Sequence, residues 1–171
     1  MFSAAQTQSQ ISSLSLRSGA AVRTPLVQHS FGPWPLCQAL VWEQLVDFAQ
    51  WAAWMPDVKA VNRVDSGPVG RGSRIQVDRP FHTEFWEIIH WHHQQRFDFE
   101  VSNTHCRVGF SVTLTEGVDA DHVIVTLESE GEARAGGRVL AWLGERRLQR
   151  SGIAWLAGFG AFFNAQKPPV C

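Results

Sequence analysis

The feature that most constrains this chain is a double change in its hydrophobic period. Before Pro56 and after Gly137 the apolar residues recur every three or four positions, and between these points they alternate. A period near 3.6 buries one stripe of a helix and a period of two buries one face of a strand. The chain is therefore committed to short helices, then a sheet, then one long helix. Residues 26 to 31 read as a short strand closed by the turn residues Gly32, Pro33 and Pro35. Leu40, Val41, Leu45 and Phe48 follow at helical spacing, and Trp51 and Trp54 continue a second short helix that Pro56 stops. Alternating runs come next at 58–64, 73–77, 85–91, 96–101, 108–114 and 123–127, spaced as in an antiparallel meander. After the small residues 133–137, Leu140, Leu143, Leu148, Trp155, Leu156, Phe159 and Phe163 predict a long helix to Ala165, ended by Pro168 and Pro169. Gly152, Gly158 and Gly160 each weaken that helix by about 1 kcal/mol relative to alanine. Something packed closely against them must compensate, or the helix bends.

A sheet with one apolar face needs one cover, and the long helix supplies it, so the fold class is α+β. At 171 residues one core is the expectation. The domain plan is an extension at 1–24 expected to be disordered, one domain at 25–166 and a tail at 167–171. The extension is rich in Ser, Gln and Ala, with Arg17 and Arg23 and no acid. It resembles an organelle transit segment; a frayed terminus or an early start codon gives the same composition. Cys37, Cys106 and Cys171 are scattered and form no C-x-x-C pair, so neither a disulfide framework nor a thiolate zinc site is suggested. No apolar run reaches the roughly 20 residues of a membrane span. A cytoplasmic location is expected, with organelle targeting or peripheral membrane attachment as the alternatives.

Fifteen Lys and Arg against sixteen Asp and Glu leave no excess for the broad basic face that nucleic-acid binding normally needs, so no nucleic-acid partner is expected. Eight Trp and eleven Phe stand beside no Tyr, so any aromatic wall offers indole N–H donors but no phenolic hydroxyl. The glycine-rich stretch Gly67–Ser73 lacks the Gly-Lys-Ser/Thr of a phosphate loop and leads into a strand rather than a helix, so it is a structural turn.

Histidines crowd one hairpin: His82, His90, His92 and His93. His90 and His92 share a strand face, as metal ligands must, but no third His or carboxylate follows at suitable spacing, so no metal site and no cofactor are expected. A turn through His92–Gln95 would set Trp91 opposite Arg96, His90 opposite Phe97, Ile88 opposite Phe99 and Trp86 opposite Val101. One face would then carry Trp86, Ile88, His90, Phe97, Phe99 and Val101. On it His90 is the candidate acid or base, with Glu84 nearer the rim.

Val41-Trp42 with Leu45, Asp47, Phe48, Trp51, Trp54, Met55 and Pro56, then Gly67-Pro68-Val69-Gly70-Arg71-Gly72-Ser73-Arg74, then Trp91 and Arg96-Phe97, resemble strings of one known family. This is the START-like (SRPBCC) superfamily, and the similarity is to its polyketide cyclase/dehydrase and lipid-transport branch. The resemblance covers roughly residues 26–165. It departs at His93-Gln94, where relatives usually carry prolines. It implies a helix-grip fold, a curved sheet wrapped around the C-terminal helix, with an apolar cavity between them. The expected lining from the sheet is Arg74, Ile75, Val77, Trp86, Ile88, His90, Phe97, Phe99, Val101, Phe110 and Val112. Trp54, Leu143, Trp155 and Phe159 are expected from the helices, and His90, Ser111 or Arg74 would supply the polar steering.

The expected function is binding, transport or sequestration of a small hydrophobic ligand such as a lipid, isoprenoid or polyketide-like molecule. One alternative is a cyclase or dehydratase acting on a ring-forming substrate through His90. Another is a non-catalytic domain whose cavity is filled by its own side chains. The apolar segment 152–163, preceded by Arg146, Arg147 and Arg150, adds transient membrane contact as a further alternative. Oligomeric state is not legible in the sequence.

Overall fold

The computed structural model describes residues 22–23, 27–35, 38–102, 106–117, 122–133 and 137–166. Strands β1 (Val22–Arg23) and β2 (Val27–Pro35) come first. Helix α1 (Gln38–Val46), a 3-10 turn at Phe48–Gln50 and the short helix α2 (Trp51–Trp54) follow. Strands β3 (Ala60–Arg63), β4 (Arg74–Asp78), β5 (Thr83–His92), β6 (Arg96–Ser102), β7 (Cys106–Glu116) and β8 (His122–Ala133) lead into α3 (Gly137–Gln166). Apart from Val22–Arg23, the expected extension lies outside the described residues, as do the tail 167–171 and Cys37.

The sheet is antiparallel, in the order β1-β8-β7-β6-β5-β4-β3, with β2 also paired to β8. β1 and β2 lie in tandem along β8: Val22 faces Ala133, Val27 faces Ser129 and Pro35 faces His122. The first strand therefore continues beyond the turn expected at Gly32-Pro33. The register shifts between Phe31 and Trp34 instead. Proline cannot donate to a ladder, but an edge strand with a bulge has a place for it.

Alternation works as the sequence predicts over most of the sheet. Ile75, Val77, Trp86, Ile88, Phe97, Phe99, Val112, Leu114, Val125 and Leu127 are all buried on the inner face. Trp42, Leu45, Phe48, Trp51 and Trp54 cover them from one side, and Trp155, Leu156, Phe159 and Phe163 of α3 from the other. This is the expected helix-grip arrangement, a curved sheet holding a C-terminal helix of 30 residues. A Cβ placed on Gly158 would lie 2.1 Å from the carbonyl oxygen of Trp54. Glycine is thus what lets α3 touch the backbone of α2, which is the close packing its helix-weakening residues demanded.

The glycine-rich stretch is a turn. Gly67 and Gly72 adopt φ of +105° and +87°, which side-chain-bearing residues rarely enter. Gly72 N–H donates to the Ile88 carbonyl and Ile88 N–H to the Ser73 carbonyl, pinning the loop to β5.

The β5–β6 hairpin departs from the expected register. Ile88 faces Phe99 and Trp86 faces Val101 as predicted, but a bulge between Ile88 and His90 shifts the rest. His90 faces Asp98, Trp91 faces Phe97 and His92 faces Arg96. The turn is one residue shorter than expected, His93–Gln95, with Gln94 at φ +60°. A three-residue turn with a left-handed position closes a hairpin readily. The bulge re-aims the side chains beyond it. Trp91 turns inward against Trp42 (centroids 4.9 Å apart) and His90 turns out to solvent.

Candidate functional site

Sheet, α2 and α3 meet in a cluster of aromatic rings centred on Trp51. Its ring lies 5.7–5.9 Å from those of Trp54, Trp86, Phe99 and Trp155, and 4.9 Å from Phe48. Trp86 and Phe99 stack at 4.7 Å with 6° between planes, Phe110 stacks on Phe99 at 5.0 Å, and Trp155 closes on Phe110 at 5.4 Å. Offset and edge-on pairs of this kind each add about 0.5–1.5 kcal/mol beyond the area they bury. The cluster is therefore a strongly cohesive core, not a loose lining.

The space left inside it is small. One void of ≈ 20 Å³ is bounded by Leu45, Trp51, Trp54, Phe97, Phe99, Val112, Val125, Leu127, Trp155, Leu156 and Phe159. That holds about one water by volume, and a water needs polar partners that this lining hardly supplies. Apart from the void, the indole nitrogen of Trp54, whose ring is part of the void's border, is buried and has no hydrogen-bond partner among the described residues. Two other deeply buried indoles behave differently. Trp51 donates to the Leu45 carbonyl at 2.9 Å and Trp86 to Glu84 Oε2 at 3.0 Å.

Of the residues expected to line a cavity, Trp54, Phe97, Phe99, Val112, Trp155 and Phe159 border the void. Ile75, Val77, Trp86 and Ile88 are buried beside it, and Val101 and Phe110 are half-buried against the same core. Three placements need correction. His90 is exposed on the outer face because the bulge reverses it. Arg74 is also outward, opposite Glu87 and 3.5 Å from its carboxylate, because its neighbour Ile75 takes the inner face opposite Trp86. Ser111 faces outward too, between Asp98 and Glu128, since Phe110 and Val112 flank it on the inner side. The side chain of Leu143 lies outside the described residues. Leu45, Trp51, Val125, Leu127 and Leu156 border the void without having been singled out for it. The alternation of 123–127 and the helical spacing of Leu45 and Leu156 already marked them as inward residues.

Glu84 sits at the rim of the inner face, opposite Val77. Its Oε2 receives Arg79 Nε at 3.0 Å besides the Trp86 indole, and its Oε1 lies 2.8 Å from His82 Nε2. Burial opposes ionisation of this carboxyl, but the bonds from His82, Arg79 and Trp86 outweigh it and hold its pKa below the ordinary value. It is a fixed anion, poorly suited to exchanging a proton near neutral pH. No His, Asp or Glu borders the void among the described residues. No three metal-ligating side chains converge among the described residues, and no helix among them is long and apolar enough to cross a membrane.

No protein-family model and no curated protein matches this sequence. Solved structures do match its fold. A hypothetical protein, jhp0584, from Helicobacter pylori superposes with a TM-score of 0.66 at 14% identity, over 81% of this chain and 88% of its own. A START superfamily protein from Mycobacterium smegmatis gives 0.60 at 12% identity, over 80% and 98%. The Zhui aromatase/cyclase from Streptomyces sp. R1128 gives 0.60 at 18% identity, over 79% and 90%. The fold of this chain is START-like, as the sequence resemblance implied.

Proposed function

We propose that this domain binds a small, largely apolar molecule between the sheet and α3, in an opened form of the space that Trp54 and Trp155 now fill. The observation that carries the reading is the buried, unpartnered indole N–H of Trp54, whose ring borders an apolar void. A buried donor without an acceptor costs about 1–3 kcal/mol, and a carbonyl, ether or hydroxyl oxygen on a ligand would recover it. Apolar burial would supply the affinity and this one donor the orientation. A lipid, isoprenoid or polyketide-like molecule bearing an oxygen has that chemistry, held for transport or sequestration. The START superfamily neighbour supports the reading at the level of fold only. The aromatase/cyclase neighbour does not bring catalysis with it, since His90 lies on the far face and Glu84 is held as an anion.

Native mass spectrometry of gently purified protein, followed by a panel of apolar ligands read by tryptophan fluorescence, tests this. A co-purifying apolar mass, or a saturable response weakened by Trp54→Phe, is the expected result. Repeatedly clean protein with no panel response would reject it. The ≈ 20 Å³ void would then identify the interior as a filled core, and the domain would act through its surface.

A further inference from the structure

On the outer face of the hairpin the bulge after Ile88 brings two exposed imidazoles together. His90 and His92, two apart on β5, have ring centroids 5.0 Å apart with 43° between planes. Strict alternation from Ile88 would have sent both rings inward. The bulge sends them out together and packs Trp91, partly buried, against the core instead. Two imidazoles bound to one cation through nitrogens at about 2.1 Å, at angles of roughly 90–109°, place their ring centres about 4.6–5.3 Å apart. The observed centroid spacing falls inside that range.

We propose that His90 and His92 form a two-imidazole surface site for a borderline divalent transition metal, taking Cu²⁺ more tightly than Zn²⁺. Imidazole suits both ions, and their order follows the general affinity series for nitrogen ligands. The surroundings do not oppose a cation. Arg96, opposite His92, is the neighbouring positive charge, and it is bound through two nitrogens to Asp98 at 2.8 and 2.9 Å. Asp98 in turn stands opposite His90 in the ladder. With no third protein ligand converging among the described residues, water completes the coordination. Such a site binds in the micromolar range or weaker and exchanges readily. It does not depend on the proposed ligand, which would sit on the other face of the sheet.

Calorimetric titration with CuCl₂ and ZnCl₂, with electron paramagnetic resonance of the Cu²⁺ form, tests the site on the whole chain. Wild type should bind one more equivalent of Cu²⁺ than the His90→Ala/His92→Ala variant. Each single variant should lose at least tenfold in affinity, and the copper spectrum should lose nitrogen coupling. His93→Ala is the control, since that ring lies against Trp42, with centroids 5.7 Å apart. Other imidazoles and the terminal amine contribute alike to all variants, so the comparison removes them. Both altered residues are exposed, and the variants should fold; melting temperatures without metal will verify it. Copper should then raise the wild-type melting temperature more than that of the double variant. Single variants within twofold of wild type, or an equal loss in His93→Ala, would overturn the assignment.

Discussion

Replacing Gly158 by alanine is the sharpest test of how α3 is seated. In an isolated helix the change is favourable by about 1 kcal/mol. Here the new methyl carbon would lie 2.1 Å from the Trp54 carbonyl oxygen, and the obstacle is backbone, which cannot rotate aside. A carbon–oxygen contact settles near 3.3–3.6 Å, so α3 must retreat from α2 by roughly 1.2–1.5 Å. That retreat loosens the Trp54–Phe159 and Trp54–Trp155 contacts, now at 5.3 and 6.5 Å between centroids. Overpacking of this kind costs about 1–3 kcal/mol, and an unyielding backbone puts the cost at the upper end. After the propensity gain is subtracted, a net loss of about 2 kcal/mol remains, which lowers the melting temperature by roughly 4–8 °C for a chain this size. The neighbouring exposed residue gives the control. Ala157→Gly meets no obstacle and should lose about 1 kcal/mol through propensity alone. Opposite substitutions at adjacent positions should thus both destabilise in thermal or urea melts. Gly158→Ala melting at or above wild type would refute the close seating of α3 on α2.

Three further outcomes follow from the cluster and its rim. Trp155→Ala should cost about 3–5 kcal/mol in urea unfolding, and millimolar indole should raise its melting temperature while leaving wild type unchanged. Trp51→Phe should be more destabilising than Trp54→Phe by about 1–3 kcal/mol, because the first strands the Leu45 carbonyl that Trp51 now satisfies and the second removes a donor that has no partner. Glu84 has a folded pKa below its ordinary value of 4.5, so its stabilisation is complete above that pH and is lost as pH falls through the lower folded value. In acid melts Glu84→Gln should therefore show a shallower decline below about pH 4.5 than wild type; identical slopes would mean that the carboxylate is not held by Arg79, His82 and Trp86.

Most of the fold was legible because period and burial are tightly linked. The helix pair, the six later strands and α3 all came from where apolar residues recur, and the sheet buries almost every inward residue that alternation named. What alternation could not show was where it breaks. A bulge needs no proline or glycine, and nothing in Ile88-Ile89-His90 announces one, yet it moved His90 from the centre of the expected site to the outside. The same step brought in Trp91, whose burial against Trp42 and Phe97 provides the local driving force. Arg74 failed differently. It stands next to Ile75, and only one of two adjacent strand residues can face inward, so the apolar neighbour took that place. The fullness of the interior was also hidden, because residue types state which side chains face inward but not how completely their volumes close the gap.

That fullness bears on how any ligand could be held. The rings around Trp51 already satisfy one another, so a guest must compete with aromatic contacts rather than fill waiting space. Competition is favoured where the present arrangement is poorest, and among the buried indoles that place is Trp54. Trp51 and Trp86 would each give up a hydrogen bond on moving; Trp54 has none to lose. Trp54 also lies at the seam where α2 meets Gly158 of α3, the contact that depends on a missing side chain. On the proposed reading, a small displacement of α3 there would expose a donor and an apolar wall together. The absence of tyrosine fits the same economy, since a phenolic hydroxyl in this cluster would need a fixed partner of its own. On that reading, an interior of Trp and Phe would close on itself when empty and offer one oriented N–H when opened.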